Sequence, residues 1–253
     1  MENFYSSVAP VIEDVGIELA KNFGKAKIVA QKTNSPGDVV TELDRRTETI
    51  VAERLRKLYP SIEFFGEEFG GSDTASRFWI CDPINGTALF VRGIPFCTTQ
   101  IALIENGQPI FSIIYNFVTK EMFTAQKGMG ARLNHAPIHV SNREAKDAYV
   151  IVETHRDKPE NLRRFADIGN RCSIFITLNT GFEFGLLASG KIDARLCFDP
   201  HGKDWDYAPG SLLVSEAGGI VRNVESDSYD YRNHDFIAAN PKLYEELKTF
   251  FNN

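Results

Sequence analysis

Acidic residues stand beside glycine or threonine at three separated places in this 253-residue chain. They are the GEE of residues 66–68, the segment WICDPINGT at 79–87 and the segment DWDYAPG at 204–210. Oxygen ligands that converge from several loops suit Mg²⁺, which also keeps water and binds substrate phosphate. An ion held in this way activates water and neutralises a phosphate group. The three segments therefore predict a metal-dependent site for phosphate chemistry.

The Gly86-Thr87 pair adds an anion-binding feature beside these acids. Glycine lets the backbone approach a ligand closely. Residues 88–90 can then open a helical turn whose free N–H groups face a phosphate. The Thr87 hydroxyl is suited to orient a water molecule and to pass its proton towards a carboxylate such as Glu67. Gly86 and Thr87 are therefore the predicted phosphate-binding residues.

Each acidic position also has an ordinary structural interpretation. Asp206 suits the N-cap of a helix, and Glu67 fits an exposed pair of surface acids. Asp82 and Asn85 stand before proline and glycine, in pairs that are common in turns. Taken singly, the structural interpretations are favoured, and only the combination of the three segments favours a site.

Residue periodicity predicts the elements that must bring these segments together. The predicted helices cover residues 4–23, 41–59, 160–168, 182–189 and 206–217, and a terminal segment from Lys242. The predicted strands cover 78–81, two runs that flank Asn106-Gly107, short segments within 121–140, and 148–153, 173–177, 191–197 and 235–239. Pro10 either kinks the first helix or marks a later start. Pro36-Gly37 predicts a turn, and Thr41 with Asp44 predicts a capping box.

The order of these elements predicts a combination of α+β and α/β organisation in one compact unit over 1–253. The first subdomain, approximately residues 1–145, joins two helices to an antiparallel-rich sheet. The second, approximately residues 146–253, alternates strands and helices. No Ser-, Gly- or Pro-rich linker separates the two halves near 140–147.

Composition disfavours several classes of function. The formal net charge is −6 and there is no long basic run, so neither nucleic acid nor an anionic membrane is an expected partner. No apolar stretch approaches the roughly 18 residues of a membrane span, and the N-terminus lacks a signal-peptide pattern. Four separated cysteines match no zinc pattern and predict buried, reduced thiols in a cytoplasmic protein.

The three acidic segments follow one another in the order found in a known family. The chain resembles the inositol monophosphatase superfamily, whose motifs are GEE, then W-x-D-P-[IL]-D-G-T, then W-D-x-A-[AP]-G. Further matches lie at residues 38–44, 92–95 and 216–219. The resemblance implies a layered αβαβα sandwich, commonly as a homodimer. It also implies Mg²⁺-dependent, lithium-sensitive hydrolysis of a small phosphate monoester.

The resemblance further implies two or three Mg²⁺ ions in each site. The first would be held by Glu67, Asp82 and the backbone carbonyl of Ile84. The second would share Asp82 and use the side chains of Asn85 and Asp206. A third, weaker ion would be linked to Glu67 through water.

The same resemblance implies how water is activated. Thr87, paired with Asp44 at a helix start, would help to activate the attacking water close to Glu67. Phosphate would lie on the N–H groups of Gly86 and Thr87.

Asn85 departs from the family motif, which has aspartate at this position. An amide oxygen can still bind a cation, but one negative charge is lost. Two unit charges 4 Å apart interact by about 4 kcal/mol at an effective dielectric constant near 20, so the second ion is expected to bind more weakly. Three explanations stay open, namely an engineered inactivating change, a naturally attenuated enzyme or pseudoenzyme, and a fully active natural variant. Asn-Gly pairs also deamidate, which would restore an acid here.

The predicted leaving-group pocket departs from the family as well. Leu178 stands where the family often has arginine, and Phe182, Glu183 and Phe184 replace small residues. Either the phenylalanines repack on the core face, or the pocket changes, with Glu183 accepting hydrogen bonds from a substrate. Lys203 would contact a second phosphate or be solvated. Sugar bisphosphates, histidinol phosphate and nucleotide 3′,5′-bisphosphates therefore remain alternatives to an inositol phosphate, as does a non-catalytic phosphate-metabolite binder.

Overall fold

The computed structural model describes residues 3–35 and 37–251. The α-helices in this part of the chain are α1 (Tyr5–Asn22), α2 (Glu42–Leu58), α3 (Thr87–Arg92), α4 (Pro159–Gly169), α5 (Thr180–Ala188), α6 (Asp204–Glu216) and α7 (Pro241–Leu247). The strands are β1 (Ile28–Gln31), β2 (Val39–Thr41), β3 (Glu63–Gly66), β4 (Gly70–Gly71), β5 (Arg77–Asn85), β6 (Thr98–Glu105), β7 (Gln108–Asn116), β8 (Glu121–Gln126), β9 (Ala131–Leu133), β10 (Ala136–Ile138), β11 (Tyr149–Glu153), β12 (Ser173–Ile176), β13 (Ala194–Cys197), β14 (Ile220–Asn223) and β15 (Phe236–Ala239). No helix among the described residues has the length and apolar character needed to cross a membrane.

The elements stack in five layers. Helices α1 and α2 cover one face of an eight-stranded sheet with strand order β10-β9-β8-β7-β6-β5-β3-β4. Helices α5 and α6 lie between this sheet and a five-stranded sheet with order β12-β11-β13-β15-β14. Helices α4 and α7 cover the outer face of the second sheet. The αβαβα sandwich expected from the sequence is therefore confirmed.

Helix α1 buries the apolar stripe that its sequence spacing predicts. Val8, Ile12, Val15 and Leu19 are buried, and they recur at the four- and three-residue intervals of one helix face. The helix begins at Tyr5, before Pro10, so the alternative of a later start is wrong.

Helices α5 and α6 are apolar on nearly every side because both of their faces meet a sheet. Phe184 is fully buried and Phe182 almost so, which places both phenylalanines on the core face. The two helices approach closely at Gly210, where an added Cβ would lie 2.0 Å from the Phe184 ring. Only glycine fits at this crossing.

Several local expectations are confirmed. Asn106 and Gly107 form the turn between β6 and β7 with φ angles of 50° and 75°, as a two-residue hairpin requires. Thr41 caps α2, and the Asp44 carboxylate accepts a hydrogen bond from the Thr41 N–H over 2.8 Å. All four cysteines are free and buried. Of the expected Pro36-Gly37 turn, Pro36 lies outside the described residues.

Three parts of the sheet structure were not predicted. Strand β3 pairs with β5 and β4, β14 pairs with β15, and β1 pairs with β2 in a separate two-stranded sheet. Each of the strands that were missed has two to four residues. Strand β1 is mostly exposed on both faces, so its sequence carries no alternating signal.

Strand β5 is the element that presents the second acidic segment. It extends through Asn85, and its pairing with β6 shifts register between Asp82 and Asn85. Residues three apart in a regular strand point to opposite faces, but such an irregularity re-aims side chains. Asp82 and Asn85 consequently face the same helix, α6.

Candidate active site

The structure brings Asp82, Asn85 and Asp206 together. The Asn85 amide nitrogen Nδ2 lies 2.7 Å from Asp82 Oδ2 and 2.6 Å from Asp206 Oδ1, and donates to both. Asp206 is the third residue of α6 and its other oxygen accepts from the Lys203 N–H over 2.7 Å. Asp206 therefore takes part in capping its helix and also faces the site.

Glu67 joins this group from the turn that follows β3. Because β3 runs parallel to β5, the Glu67 N–H continues the ladder and donates to the Cys81 carbonyl over 3.2 Å. Burial, followed by repulsion from Glu67 and Asp206, raises the pKa of Asp82 well above its usual value. Desolvation and the Glu67 charge raise the pKa of Asp206 to about 7. Both pKa values are raised because the carboxylates are buried and because Glu67, Asp82 and Asp206 lie close together without enough positive charge to balance them.

One oxygen of this cluster is suited to hold a cation. Asp82 is 1% exposed, and its Oδ1 has no hydrogen-bond partner within the described residues. A buried carboxylate oxygen without a partner is costly unless it binds a metal or another charge. Asp82 and Glu67 are two of the residues that the sequence assigns to the first Mg²⁺ position, although no three His, Cys, Asp or Glu side chains among the described residues form a ready-made metal cluster.

The second Mg²⁺ position does not fit in the same way, because the Asn85 side chain is fixed at its oxygen end. Asn85 Oδ1 accepts from the Gly181 N–H over 3.0 Å, and the Asn85 carbonyl accepts from Asn179 Nδ2 over 2.8 Å. A backbone N–H must face an oxygen, so the NH₂ group is turned to Asp82 and Asp206. An amide NH₂ is a donor only and cannot ligate a cation.

Gly181 makes this arrangement possible. A Cβ at this position would lie 2.3 Å from Gln100 Oε1 and 2.7 Å from Thr98 Oγ1. Glycine thus lets the start of α5 approach β6 closely enough for its N–H to reach Asn85.

Lys32 is a site residue that the sequence reasoning missed. Its ammonium group lies 2.6 Å from Glu67 Oε1 and 2.7 Å from Glu68 Oε1. Burial alone would lower the pKa of Lys32, but attraction and hydrogen bonds from both glutamates raise it above its usual value. Lys32 follows β1 in a polar stretch without a motif, so no local signal marked it.

Thr87 and Asp44 form a hydrogen-bonded pair beside the carboxylates. The Thr87 hydroxyl lies 2.8 Å from both Asp44 Oδ1 and the Ile84 carbonyl, and can donate to either. Asp44 Oδ2 accepts from the Thr41 hydroxyl over 2.6 Å. Burial raises the pKa of Asp44 to about 6, against the lowering effect of bonds from Thr41 and Thr87. Gly86, with φ at +83°, precedes α3 and places Thr87 as its first residue.

Glu183 does not lie where a substrate could reach it. It is 1% exposed, and its carboxylate accepts from Thr177 Oγ1 over 2.9 Å, from the Leu178 N–H over 2.6 Å and from Arg195 Nε over 3.1 Å. This placement corrects the expectation of a pocket residue, because the buried carboxylate is already taken up by donors of the protein itself. Lys203 is exposed and precedes α6.

Arg195 and Glu153 complete a buried ionic group that the sequence did not reveal. The Arg195 guanidinium pairs with Glu153 and Glu183, and all three side chains are at most 2% exposed. Burial alone would raise the pKa of Glu153, but Arg195 and hydrogen bonds hold it at about 2. Glu153 Oε1 also accepts from the Tyr207 hydroxyl over 2.7 Å and from the His201 N–H over 2.9 Å. The group therefore anchors the loop that leads to Asp206.

With this geometry in place, comparison with known proteins identifies the family. The model of the inositol monophosphatase family matches residues 1–251. The chain belongs to this family. Membership supports a phosphatase-type function, since the family is made up of phosphatases.

Three similar proteins illustrate the range of the family. The chain is 30% identical over 242 residues to the inositol-1-monophosphatase of Rhizobium meliloti, covering 92% of this chain and 90% of that protein. It is 31% identical over 248 residues to the Nus factor SuhB of Xylella fastidiosa, covering 92% and 88%. The solved extragenic suppressor protein SuhB of Bartonella henselae superposes with a TM-score of 0.90 at 26% identity, covering 99% and 98%.

Proposed function

We propose that this chain hydrolyses a small phosphate monoester with the help of Mg²⁺, at a rate reduced by Asn85. The observation that carries the proposal is the buried, unpartnered Asp82 Oδ1, which lies in a cluster with Glu67. The Thr87–Asp44 pair contacts the same strand at the Ile84 carbonyl. Lys32 supplies a cation to Glu67, but the buried Asp82 oxygen still has no partner and needs a cation of its own. The hydroxyl–carboxylate pair of Thr87 and Asp44 provides a route for a proton.

Glu67, Asp82 and the Ile84 carbonyl would hold one ion in this proposal. When bound, Mg²⁺ lowers the pKa of water and neutralises phosphate charge. The Thr87 hydroxyl can take a proton from the attacking water while giving its own to Asp44 over 2.8 Å. Asp44 is ionised above its pKa of about 6, so it can accept this proton at neutral pH.

The remaining residues bind and orient the substrate. The N–H groups around Gly86 and Thr87 would carry the phosphate oxygens. Asn85 Nδ2 lies between Asp82 and Asp206, where the family motif places an acid for a second ion. A neutral donor stabilises the charge that develops on a leaving oxygen less than a divalent cation does. We therefore propose attenuated turnover.

Replacement of Asn85 tests this function directly. Phosphate release is measured with Mg²⁺, with and without Li⁺, on an inositol phosphate, a sugar bisphosphate, histidinol phosphate and a nucleotide 3′,5′-bisphosphate. Asn85→Asp is expected to raise the rate on at least one ester by about tenfold or more, equivalent to 1.4 kcal/mol. Asn106→Asp is the matched control, because it adds the same charge at an exposed Asn-Gly turn. Equal rates in the parent and Asn85→Asp proteins would refute the attenuation, and no release by either would refute the enzyme.

A second candidate is a phosphate-metabolite-binding protein without turnover. It is favoured by the amide at position 85 and is compatible with relatives named as Nus factors. Binding of inorganic phosphate in the presence of Mg²⁺, measured by calorimetry, would remain in this case while every ester stays intact.

The four free, buried thiols are compatible with a cytoplasmic location.

We also propose that the chain forms a homodimer. Strand β12 is the outer strand of its sheet, and Phe175, Ile176 and Leu178 at this edge are 53%, 44% and 61% exposed. An unpaired edge with apolar side chains favours association, and a twofold dimer can use the same edge from both copies.

A further inference from the structure

Glu48 is a buried acid of α2 that has no part in the chemistry described above. It is 1% exposed and stands one helical turn after Asp44. Within the described part of the chain, no lysine or arginine forms a salt bridge with it. A buried carboxylate without a cation is costly unless hydrogen bonds stabilise it. Glu48 therefore requires an explanation.

Both Glu48 oxygens accept backbone hydrogen bonds from the turn that carries Glu67. Glu48 Oε2 accepts from the Glu68 N–H over 2.8 Å, and Oε1 accepts from the Phe69 N–H over 2.9 Å. The carboxylate lies directly under this turn, since a Cβ on Gly66 would be 2.2 Å from Glu48 Cδ. The glycine that precedes Glu67 thus makes room for Glu48.

The two peptide groups on either side of the Glu67 Cα are consequently both fixed. The N–H before it bonds to the Cys81 carbonyl of β5 over 3.2 Å. The N–H after it bonds to Glu48 Oε2. Fixing both peptides sets the direction in which the Glu67 side chain leaves the backbone, towards Asp82 and Lys32.

We propose that Glu48 is a positioning residue that holds the 67–69 turn so that the Glu67 carboxylate is directed at the cation site. The inference rests on the proposed function, because it assumes that Glu67 binds a divalent cation. Helix α2 then supports the site through two acids on one face, Asp44 for Thr87 and Glu48 for Glu67. Groups that orient a metal ligand typically change metal affinity by about 10- to 100-fold when they are replaced.

The test compares Mg²⁺ binding by the full chain and by two variants, measured by calorimetry without substrate. Glu48→Gln keeps the size of the side chain but sets an NH₂ donor against one of the two N–H groups. We expect it to raise the Kd for Mg²⁺ by about tenfold or more. Glu53→Gln removes the same charge from an exposed position on α2 and is expected to leave the Kd unchanged.

Amide hydrogen exchange in the metal-free protein gives a second readout. Exchange at the Glu68 and Phe69 amides is expected to be faster in Glu48→Gln than in the parent, while amides of β6 stay protected. A lower thermal stability with unchanged Mg²⁺ affinity would overturn the positioning role and leave Glu48 as a stability residue only.

The outcome is separable from that of the proposed function. If the parent binds Mg²⁺ but hydrolyses no ester, the enzyme proposal fails while a weaker Kd in Glu48→Gln still supports positioning. If both proteins bind Mg²⁺ equally, the positioning role fails while hydrolysis can still be observed. If the parent binds no Mg²⁺, both proposals fail.

Discussion

The side-chain amide of Asn85 has two different ends, and the fold determines which end meets the carboxylates. The sequence showed the loss of one charge at this position. The structure shows in addition the loss of a ligand atom, because Oδ1 is bound to the Gly181 N–H. That partner is 96 residues away in the chain. No local pattern could have revealed the orientation of the amide.

Asp44 provides a prediction about pH at the scale of single residues. Its pKa of about 6 lies above the ordinary value of 3.8 because burial disfavours the charged form. As a proton acceptor it works only when ionised, so activity should fall as pH drops through about 6. We therefore expect the acid limb of the pH–rate profile to lie near pH 6. The profile is measured on the Asn85→Asp protein, which is expected to be faster.

Replacement of Thr41 tests whether Asp44 controls the acid limb of the pH–rate profile. Its hydroxyl donates to Asp44 over 2.6 Å and so stabilises the ionised form. Thr41→Val removes this bond, which must raise the pKa of Asp44 and move the acid limb to higher pH. Thr49→Val, an exposed change on the same helix, is the control. A limb that stays in place in Thr41→Val would show that another group controls it.

At the scale of elements, sequence patterns located the long helices but not the ionic contacts between them. Of the two alternatives for α5, the core position of Phe182 and Phe184 is confirmed. The other alternative, a pocket with Glu183 as a hydrogen-bond acceptor, is wrong. The Glu183 partner Arg195 is 12 residues away and on a different element, and Glu153 is 42 residues from Arg195. An acid in an apolar helix gives no sign of a cation on a neighbouring strand. The same reasoning explains why Lys32 was missed.

Arg195 carries a prediction about stability. Arg195→Met replaces a guanidinium that lies over the rings of Phe184 and Tyr207 with an apolar side chain, and it leaves Glu153 and Glu183 buried without a cation. Removing one partner of a buried ionic group typically costs about 3–5 kcal/mol. We expect a loss of this size in the free energy of unfolding, measured in urea. Arg163→Met, at an exposed position of α4, should change it by less than about 0.5 kcal/mol.

Proton linkage gives this prediction a sign that can be checked. The pKa of Glu153 is lowered from 4.5 to about 2 in the folded chain. The stabilisation by its charged form is therefore present above about pH 4.5 and is lost as pH falls towards 2. Arg195→Met should weaken this part of the pH dependence. An unchanged stability curve between pH 2 and 4.5 would contradict the pairing of Glu153 with Arg195.

At the scale of the whole molecule, the layered architecture was predictable because periodicity, turn signals and the family motifs agreed. The net charge of −6 disfavoured some classes of partner but did not locate the site, since the site depends on a few acids gathered from β5, α6 and the turn after β3. Association with other molecules is less accessible to sequence reasoning. Whether an apolar residue is exposed depends on which strand lies at the edge of a sheet, and the order of strands cannot be predicted from local sequence.

The β12 edge gives the prediction for the assembled protein. The segment SIFITL at 173–178 carries no charge, although monomeric proteins commonly protect such edges with lysine or proline. The tilted rings of Phe175 and Tyr149 also lie side by side with centroids 5.6 Å apart, which widens the apolar surface. We expect light scattering after size-exclusion chromatography to give twice the chain mass of 28.4 kDa.

Phe175→Lys should convert this dimer to a monomer, because it places a charge on the edge that both copies would share. The side chain is 53% exposed, so its replacement should leave the fold intact. Ile17→Lys is the matched control, since Ile17 is 54% exposed on α1, away from β12. A parent protein with the mass of one chain would contradict the dimer itself. A Phe175→Lys protein that remains dimeric would instead place the interface on another surface.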